Sequence, residues 1–351
     1  MAFRKHNMLK YLMFVFVGAL FLVKYKPLWT HVEHPDLDEY SYYEDIKNLK
    51  YPVKVQPNLI RIVNPSIPKF PITSYAPYLI ENPYLCSSVY NLTVLVVVNT
   101  AADHFERRQT IRETWTNSTY YSHLATVRVL FLLGRTENRI VQSGIQMEFE
   151  EHKDILQGDF IDSYFNLTHK GVMGLKWVTE RCRNAEMVLK VDDDILVNMF
   201  LYLYKLRHDK TLEAVNVYCD YESEEVIRDK TNKWNAGEDH FKGIKWYLKF
   251  CKGKFVSMTN DIMPSLYLSA SKTPFFHLDD VLLFGYAMHK IPGLRYQALA
   301  EEEMQENSLK AEQCLEIQRE KCKYLLIHAN SKSDMIDVWS SVRNHYRSIN
   351  L

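Results

Sequence analysis

The feature that most limits what this chain can fold into is a regular exchange of two textures between residues 89 and 194. "VYNLTVLVVVNT" (89–100) is a β-branched run of the buried-strand type, and "HFERRQTIRETW" (104–115) reads as a helix. "TVRVLFLLG" (126–134) is a second strand closed by a glycine. "ENRIVQSGIQMEFEEH" (137–152) is helical and "DILQGDF" (154–160) is a short strand. "LTHKGVMGLKWVTERC" (167–182) is again helical, with Leu167, Met173, Trp177 and Val178 available to a core, and "EMVLKVDDD" (186–194) is the fourth strand. Such alternation predicts an α/β fold with a mostly parallel central sheet covered on both faces. Ligands of such sheets bind at the carboxyl edge of the strands, where Asp192, Asp193 and Asp194 lie.

The segments before residue 89 differ in kind. Residues 11–23, "YLMFVFVGALFLV", carry no charge and are flanked by Lys10, Lys24 and Lys26. A span usually needs about 20 apolar residues, but flanking lysines snorkel and thinner bilayers accept shorter spans. A cleaved signal peptide needs small residues at its cleavage site, and "LVKYKPLW" offers none. A buried core helix at an extreme N-terminus is the other alternative. The expectation is an uncleaved signal anchor with residues 1–10 cytosolic, since Arg4, Lys5 and Lys10 outnumber Lys24 and Lys26. Nine of the twelve prolines fall between residues 24 and 90, as in an extended stem over 24–88. Three sequons, at Asn91, Asn117 and Asn166, agree with a luminal remainder, residues 89–351. Lys plus Arg and Asp plus Glu are both 43, so nothing global points to nucleic acid. The six cysteines include no CxxC and no zinc-finger spacing.

Alternation along a strand places Asp192 and Asp194 on one side and Asp193 on the other. Two carboxylates on one side suit a hard divalent cation such as Mn2+ or Mg2+, with coordination positions left for phosphate oxygens. The competing reading is an acidic loop after a strand. Arg108, Arg112 and Trp115 fall at i, i+4 and i+7, a stripe fit to hold phosphates and a base, or equally a solvated face with a core tryptophan. "DFIDSYFNLTHK" (159–170) adds Asp162 and Lys170, or is a polar turn with Thr168 as a helix N-cap.

"RRQTIRETW", "FLLG", "GDFIDSYFNLTHKGVMGLKWV", "AEMVLKVDDDILVN" and "PFFHLDDVLLFG" occur in this order. Together they resemble the beta-1,3-glycosyltransferase family of galactosyltransferases and N-acetylglucosaminyltransferases, to which the fringe-type enzymes are related. The similar stretch runs from about Val89 to the C-terminus. The resemblance implies a single-pass type II Golgi membrane protein with a luminal, Rossmann-like domain of the GT-A, nucleotide-diphospho-sugar transferase type. It implies an inverting transfer of Gal or GlcNAc from a UDP-sugar, with Mn2+ (or Mg2+), to a glycan acceptor on protein or lipid. Partner transferases, in homo- or hetero-oligomers, and no nucleic acid complete that picture.

The same resemblance assigns roles. "HLDDVLLFG" (277–285) matches the segment that carries the base, so Asp280 is the expected base and Asp279 stands where a glutamate is usual. Alone, "LDDV" also reads as a helix cap. Asp194 is the expected first metal ligand. Asp192 is a second ligand, or serves the ribose or a metal-bound water. His328 in "LLIHANS" completes the set, although a single histidine after an apolar run is often an ordinary strand end. Arg108, Arg112, Trp115, Asp162, Lys170 and Lys190 are the expected nucleotide-binding positions, joined by Asp192. Cys182 and Cys251 are a candidate disulfide pair, as are Cys314 and Cys322. One departure stands out: "YLKFCKGKFVSMT" (247–259) lacks the family's prolines, and Phe255-Val256 replace Gly-Tyr. A phenylalanine there is expected to fill space a glycine leaves open. That change motivates an alternative, a weak or inactive member that binds glycans or a partner transferase.

Overall fold

The computed structural model describes residues 49–52 and 77–348. The expected anchor, and stem residues 24–48 and 53–76, lie outside the described residues. Among those described, no helix is long and apolar enough to cross a membrane.

The expected alternation is present. β1 (Tyr78–Ile80) precedes β2 (Leu92–Asn99), α1 (Phe105–Glu113), β3 (Val127–Arg135), α2 (Arg139–His152) and β4 (Ile155–Ile161). α3 (Leu167–Arg181), β5 (Ala185–Asp192), β6 (Ile195–Val197) and α4 (Met199–His208) follow. Then come β7 (Val217–Glu222), β8 (Phe250–Thr259), α5 (Met263–Ser271) and a π-helical turn over Asp280–Ala287. β9 (Tyr296–Ala298), β10 (Met304–Gln305), α6 (Ser308–Gln313), β11 (Leu326–His328) and α7 (Lys332–Ser348) complete the order.

The main sheet has the order β1-β4-β3-β2-β5-β8-β7-β9. β4, β3, β2 and β5 are mutually parallel, as expected. Beyond β5 the sheet departs from the expectation, because β8 pairs antiparallel with both β5 and β7. The sheet is therefore mixed. Its parallel half is the half with strand–helix alternation. A second sheet, β10-β11-β6, brings β11 antiparallel to β6, with His328 opposite Ile195. Each face of the main sheet has its own apolar core. One holds α3, α5 and the π-helical turn, through Met173, Trp177, Leu266 and Leu283. The other holds α1, α4 and α7, through Ile111, Tyr202 and Trp339.

The folded unit begins before residue 89. β1 pairs with β4, and Cys86 is bonded to Cys182. The pairing of Cys182 with Cys251 is thus corrected: Cys182, at the end of α3, faces the segment before β2, while Cys251 is bonded to Cys219 on the neighbouring strand β7. The expected Cys314–Cys322 bond is present. Thr168 does not cap α3. The helix starts at Leu167, and the buried Thr168 hydroxyl donates to the Phe276 carbonyl at 2.6 Å.

Candidate active site

The parallel register places Asn99, at the end of β2, level with Asp192, at the end of β5. Beyond that edge opens a cavity of about 900 Å³, lined by Asp192, Asp193, Asp194, Lys190, Asp279 and Asp280 among others. The three consecutive aspartates and the segment around residue 280 thus share one space, although about 90 residues separate them in sequence.

The aspartates divide three ways. Asp193 turns away from its neighbours, as strand alternation predicts. It accepts from the Thr100 hydroxyl at 2.7 Å and pairs with His104 Nδ1 at 2.6 Å, with Arg107 at 3.5 Å. Burial opposes its charge, but the bonds from His104 and Thr100 outweigh it and hold the carboxyl below its ordinary value. Asp194 Oδ2 lies 3.3 Å from His328 Nε2, across the β6–β11 pair. Asp192 accepts from Lys190 Nζ at 2.7 Å. Although 41% of its side chain is accessible, that exposure is into the cavity. Burial there pushes it up to about 6, against the opposing pull of Lys190. The two intended metal-binding aspartates therefore have separate partners. Among the described residues, no three His, Cys, Asp or Glu converge as a metal cluster. The donors that do face one another are Asp194 and His328.

Asp280 starts the π-helical turn, a distortion often found at functional positions. Its Oδ1 accepts from the Val281 N–H at 2.8 Å. Burial, then repulsion from Asp279, pushes it up to about 7. The same two acids and burial push the nearby Tyr164 phenol up to about 12. Lys190 is the cation within this cluster. Burial opposes its charge, yet Asp192, Asp279 and Asp280 raise its pKa above the ordinary lysine value. Its Nζ also donates to the Gly253 carbonyl. A Cβ on Gly253 would meet Lys190 Nζ at 2.9 Å and Asp280 Cβ at 3.5 Å, so the absent side chain is what lets β8 approach the acids.

Asp162 and Lys170 also line the cavity. They bond to each other at 3.0 Å, Asp162 accepts from the Gly134 N–H, and Lys170 donates to the Thr100 carbonyl. This network ties the segments after β2 and β4 to the end of β3 and to α3. The arginine stripe goes elsewhere, which corrects the nucleotide-binding expectation for Arg108, Arg112 and Trp115. None of the three lines the cavity. Arg108 is fully buried, paired with Glu148 at 2.7 Å and donating to the Ala101 and Ala102 carbonyls. Arg112 bridges Glu148 and Asp154, and Trp115 is fully buried in the core. Arg108 and Arg112 share one face of α1, which turns inward toward Glu148 of α2, Asp154 and Phe131 of β3, while Trp115 lies beyond the end of the helix.

Sequence reading missed what residues 223–254 contribute. Lys233, Trp234, Tyr247, Lys252 and Lys254 line the cavity from this stretch. The one available signal was a glycine between two lysines inside a strand, which marks a bulge or a close approach. Phe255 does not fill the cavity. It is fully buried on the opposite face, edge-on to Tyr202 and Tyr218.

The galactosyltransferase family model matches residues 106–297, more than half of the chain. Human beta-1,3-galactosyltransferase 1 is 33% identical over 216 residues, 61% of this chain and 65% of that protein. Mouse N-acetyllactosaminide beta-1,3-N-acetylglucosaminyltransferase 2 is 29% identical over 282 residues, 76% of this chain and 66% of that protein. The chain therefore spans about two thirds of the length of these relatives. A crystal structure of the galactosyltransferase LgtC with donor and acceptor sugar analogues covers 72% of this chain at 11% identity and a TM-score of 0.35, which adds nothing to what the strand pairing shows. On the family match and the ordered motifs that carry it, the chain belongs to the galactosyltransferase family of beta-1,3-glycosyltransferases.

Proposed function

We propose that this chain transfers a hexose, Gal or GlcNAc, from a UDP-sugar to a glycan hydroxyl in beta-1,3 linkage, inverting the anomeric centre. The observation that carries the reading is the single cavity joining Asp192 and Asp194 to Asp280. An acceptor hydroxyl is a poor nucleophile, and a carboxylate within reach takes its proton as attack proceeds. Asp280 has that role. Val281 N–H holds Oδ1, and Oδ2 receives the proton. A carboxyl raised to about 7 is a stronger base than an ordinary aspartate. Lys190 opposes the rise of the surrounding acids and orients Asp192.

Asp194 and His328 fit a divalent cation such as Mn2+ or Mg2+, being an oxygen and an imidazole donor facing each other with positions left open for substrate. When bound, that ion would neutralise charge gathering on the departing diphosphate. Asp192 would then serve the ribose or a water on the ion. A luminal Golgi setting, with residues 11–23 as anchor and a proline-rich stem, fits three disulfides and no free cysteine among the described residues.

Purified luminal protein with a panel of UDP-sugars, with and without Mn2+, tests the reading. Turnover with UDP-Gal or UDP-GlcNAc should require the ion and fall by about 10²–10⁴ in Asp280→Asn. If Asp280→Asn and Asp194→Ala both match the wild type, the reading fails.

A further inference from the structure

Lys252 and Lys254 flank Gly253 within residues 247–259. Their placement follows from a bulge. Cys219 on β7 pairs with Val256, but the next pair is Tyr221 with Cys251, so β8 carries extra residues at the carboxyl end of β5. Bulges re-aim side chains next to active sites. Here the bulge turns Gly253 toward Lys190 and Asp280, while the flanking lysines, which line the cavity, pair with acids of which only Glu224 lines it too. Lys252 is held by Glu222 at 3.0 Å and Glu224 at 3.1 Å, with Asp220 at 3.6 Å. Lys254 has fewer partners: Glu306 at 2.8 Å and Asp220 at 3.6 Å. Glu306 is 67% exposed, so that pair is the weaker anchor. Glu306 also lies within the electrostatic reach of His328, which itself faces Asp194. Lys254 lines the same cavity as Asp194.

We propose that Lys254 is a ligand of the donor's diphosphate, held in waiting by Glu306 and exchanging that carboxylate for a phosphate oxygen when donor binds. This rests on the UDP-sugar reading above. A diphosphate carries two negative charges against the one of Glu306 and would meet Lys254 inside a cavity instead of at an exposed rim, which favours the exchange. Lys252, with three carboxylates, stays a strut between β7 and β8. Lys254 thus supplies a fixed positive charge for the leaving group in addition to any ion at Asp194.

The two partners of one salt bridge give opposite predictions. UDP and uridine are titrated calorimetrically into wild type, Lys254→Gln and Glu306→Gln, each in EDTA and in Mn2+. Lys254→Gln should weaken UDP binding about tenfold or more, most clearly in EDTA, because a charge-assisted contact is lost. Glu306→Gln should tighten UDP binding severalfold, because the competing carboxylate is gone. Uridine should bind all three alike. Damage to the fold would be shared, since both variants break the same bridge. Equal shifts in one direction, or no shift in Lys254→Gln, overturn the proposal. A wild type that binds no UDP in either condition overturns the donor reading itself.

Discussion

Two charged clusters sit near the same edge of one sheet, and they differ in a way that separates scaffold from site. Around α1, Arg108 and Arg112 meet Glu148 and Asp154, two cations against two acids, each pair within 2.8 Å. Arg108 spends its remaining donors on backbone carbonyls. Burial opposes the charge of Glu148, but the two arginines outweigh it and hold the carboxyl below its ordinary value. Around Lys190, one cation faces Asp192, Asp279 and Asp280, and two of those acids are pushed up to about 6 and about 7. The first cluster is balanced and closed to the cavity. The second has excess acid and opens into it. Charge balance under burial is the default of a stable interior, so a cluster that breaks it at a cavity wall is where chemistry is to be sought.

Arg108→Met should produce the largest effect on the balanced side. Breaking a buried pair leaves Glu148 short of a partner and should cost about 3–5 kcal/mol in chemical denaturation, while turnover per folded molecule changes less than about tenfold. A large loss of turnover at unchanged stability would reverse the two roles. On the unbalanced side, Lys190→Met removes the one cation. The rise of kcat/KM with pH should then move upward by about one unit, because the carboxylates hold their protons more tightly. An unmoved profile would mean that Lys190 does not set the charge of the base. Gly253→Ala should act more mildly, costing about 1 kcal/mol as its Cβ displaces Lys190 Nζ, with a visible change in donor or acceptor KM.

The smallest effect is in the pH dependence of stability, measured in chelator. Asp192 and Asp280 have folded pKa values above the unfolded aspartate value, so the folded state binds their protons more tightly. Their contribution to stability is greatest at low pH and is lost as pH rises through about 6 and about 7. Glu148 is lowered, so its contribution is present above the unfolded glutamate value and lost as pH falls below it. The melting temperature should therefore peak near pH ~5 and decline toward pH ~8 by a few degrees. A melting temperature that rises steadily to pH ~8 would contradict the assignment of excess acid.

The parallel half of the fold was legible because β2 and β3 carry long apolar runs, β4 and β5 carry shorter ones, and the segments between them read as helices. The carboxyl-edge rule then located Asp192 to Asp194, and the resemblance located Asp280. The arginine stripe was misread for a physical reason. Spacing shows that Arg108 and Arg112 share a helix face but not what that face meets, and its partners Glu148 and Asp154 lie on other elements. The β7–β8 half was opaque because the residues between those strands are mostly irregular, joined by a single bridge, Glu225 to Trp246. No period marks Lys233, Trp234 or Lys254 as neighbours of the aspartates. Phe255 showed how a sequence departure misleads when the strand face that its side chain takes cannot be seen.

The most direct test is Asp280→Asn, assayed for transfer and melted in chelator at pH ~8. The account predicts that turnover falls by about 10²–10⁴ while the melting temperature rises by roughly 2–4 °C or more, because a carboxylate crowded by like charge has been removed. Turnover near the wild-type rate together with a lowered melting temperature would contradict it, and would place Asp280 among the struts of the fold.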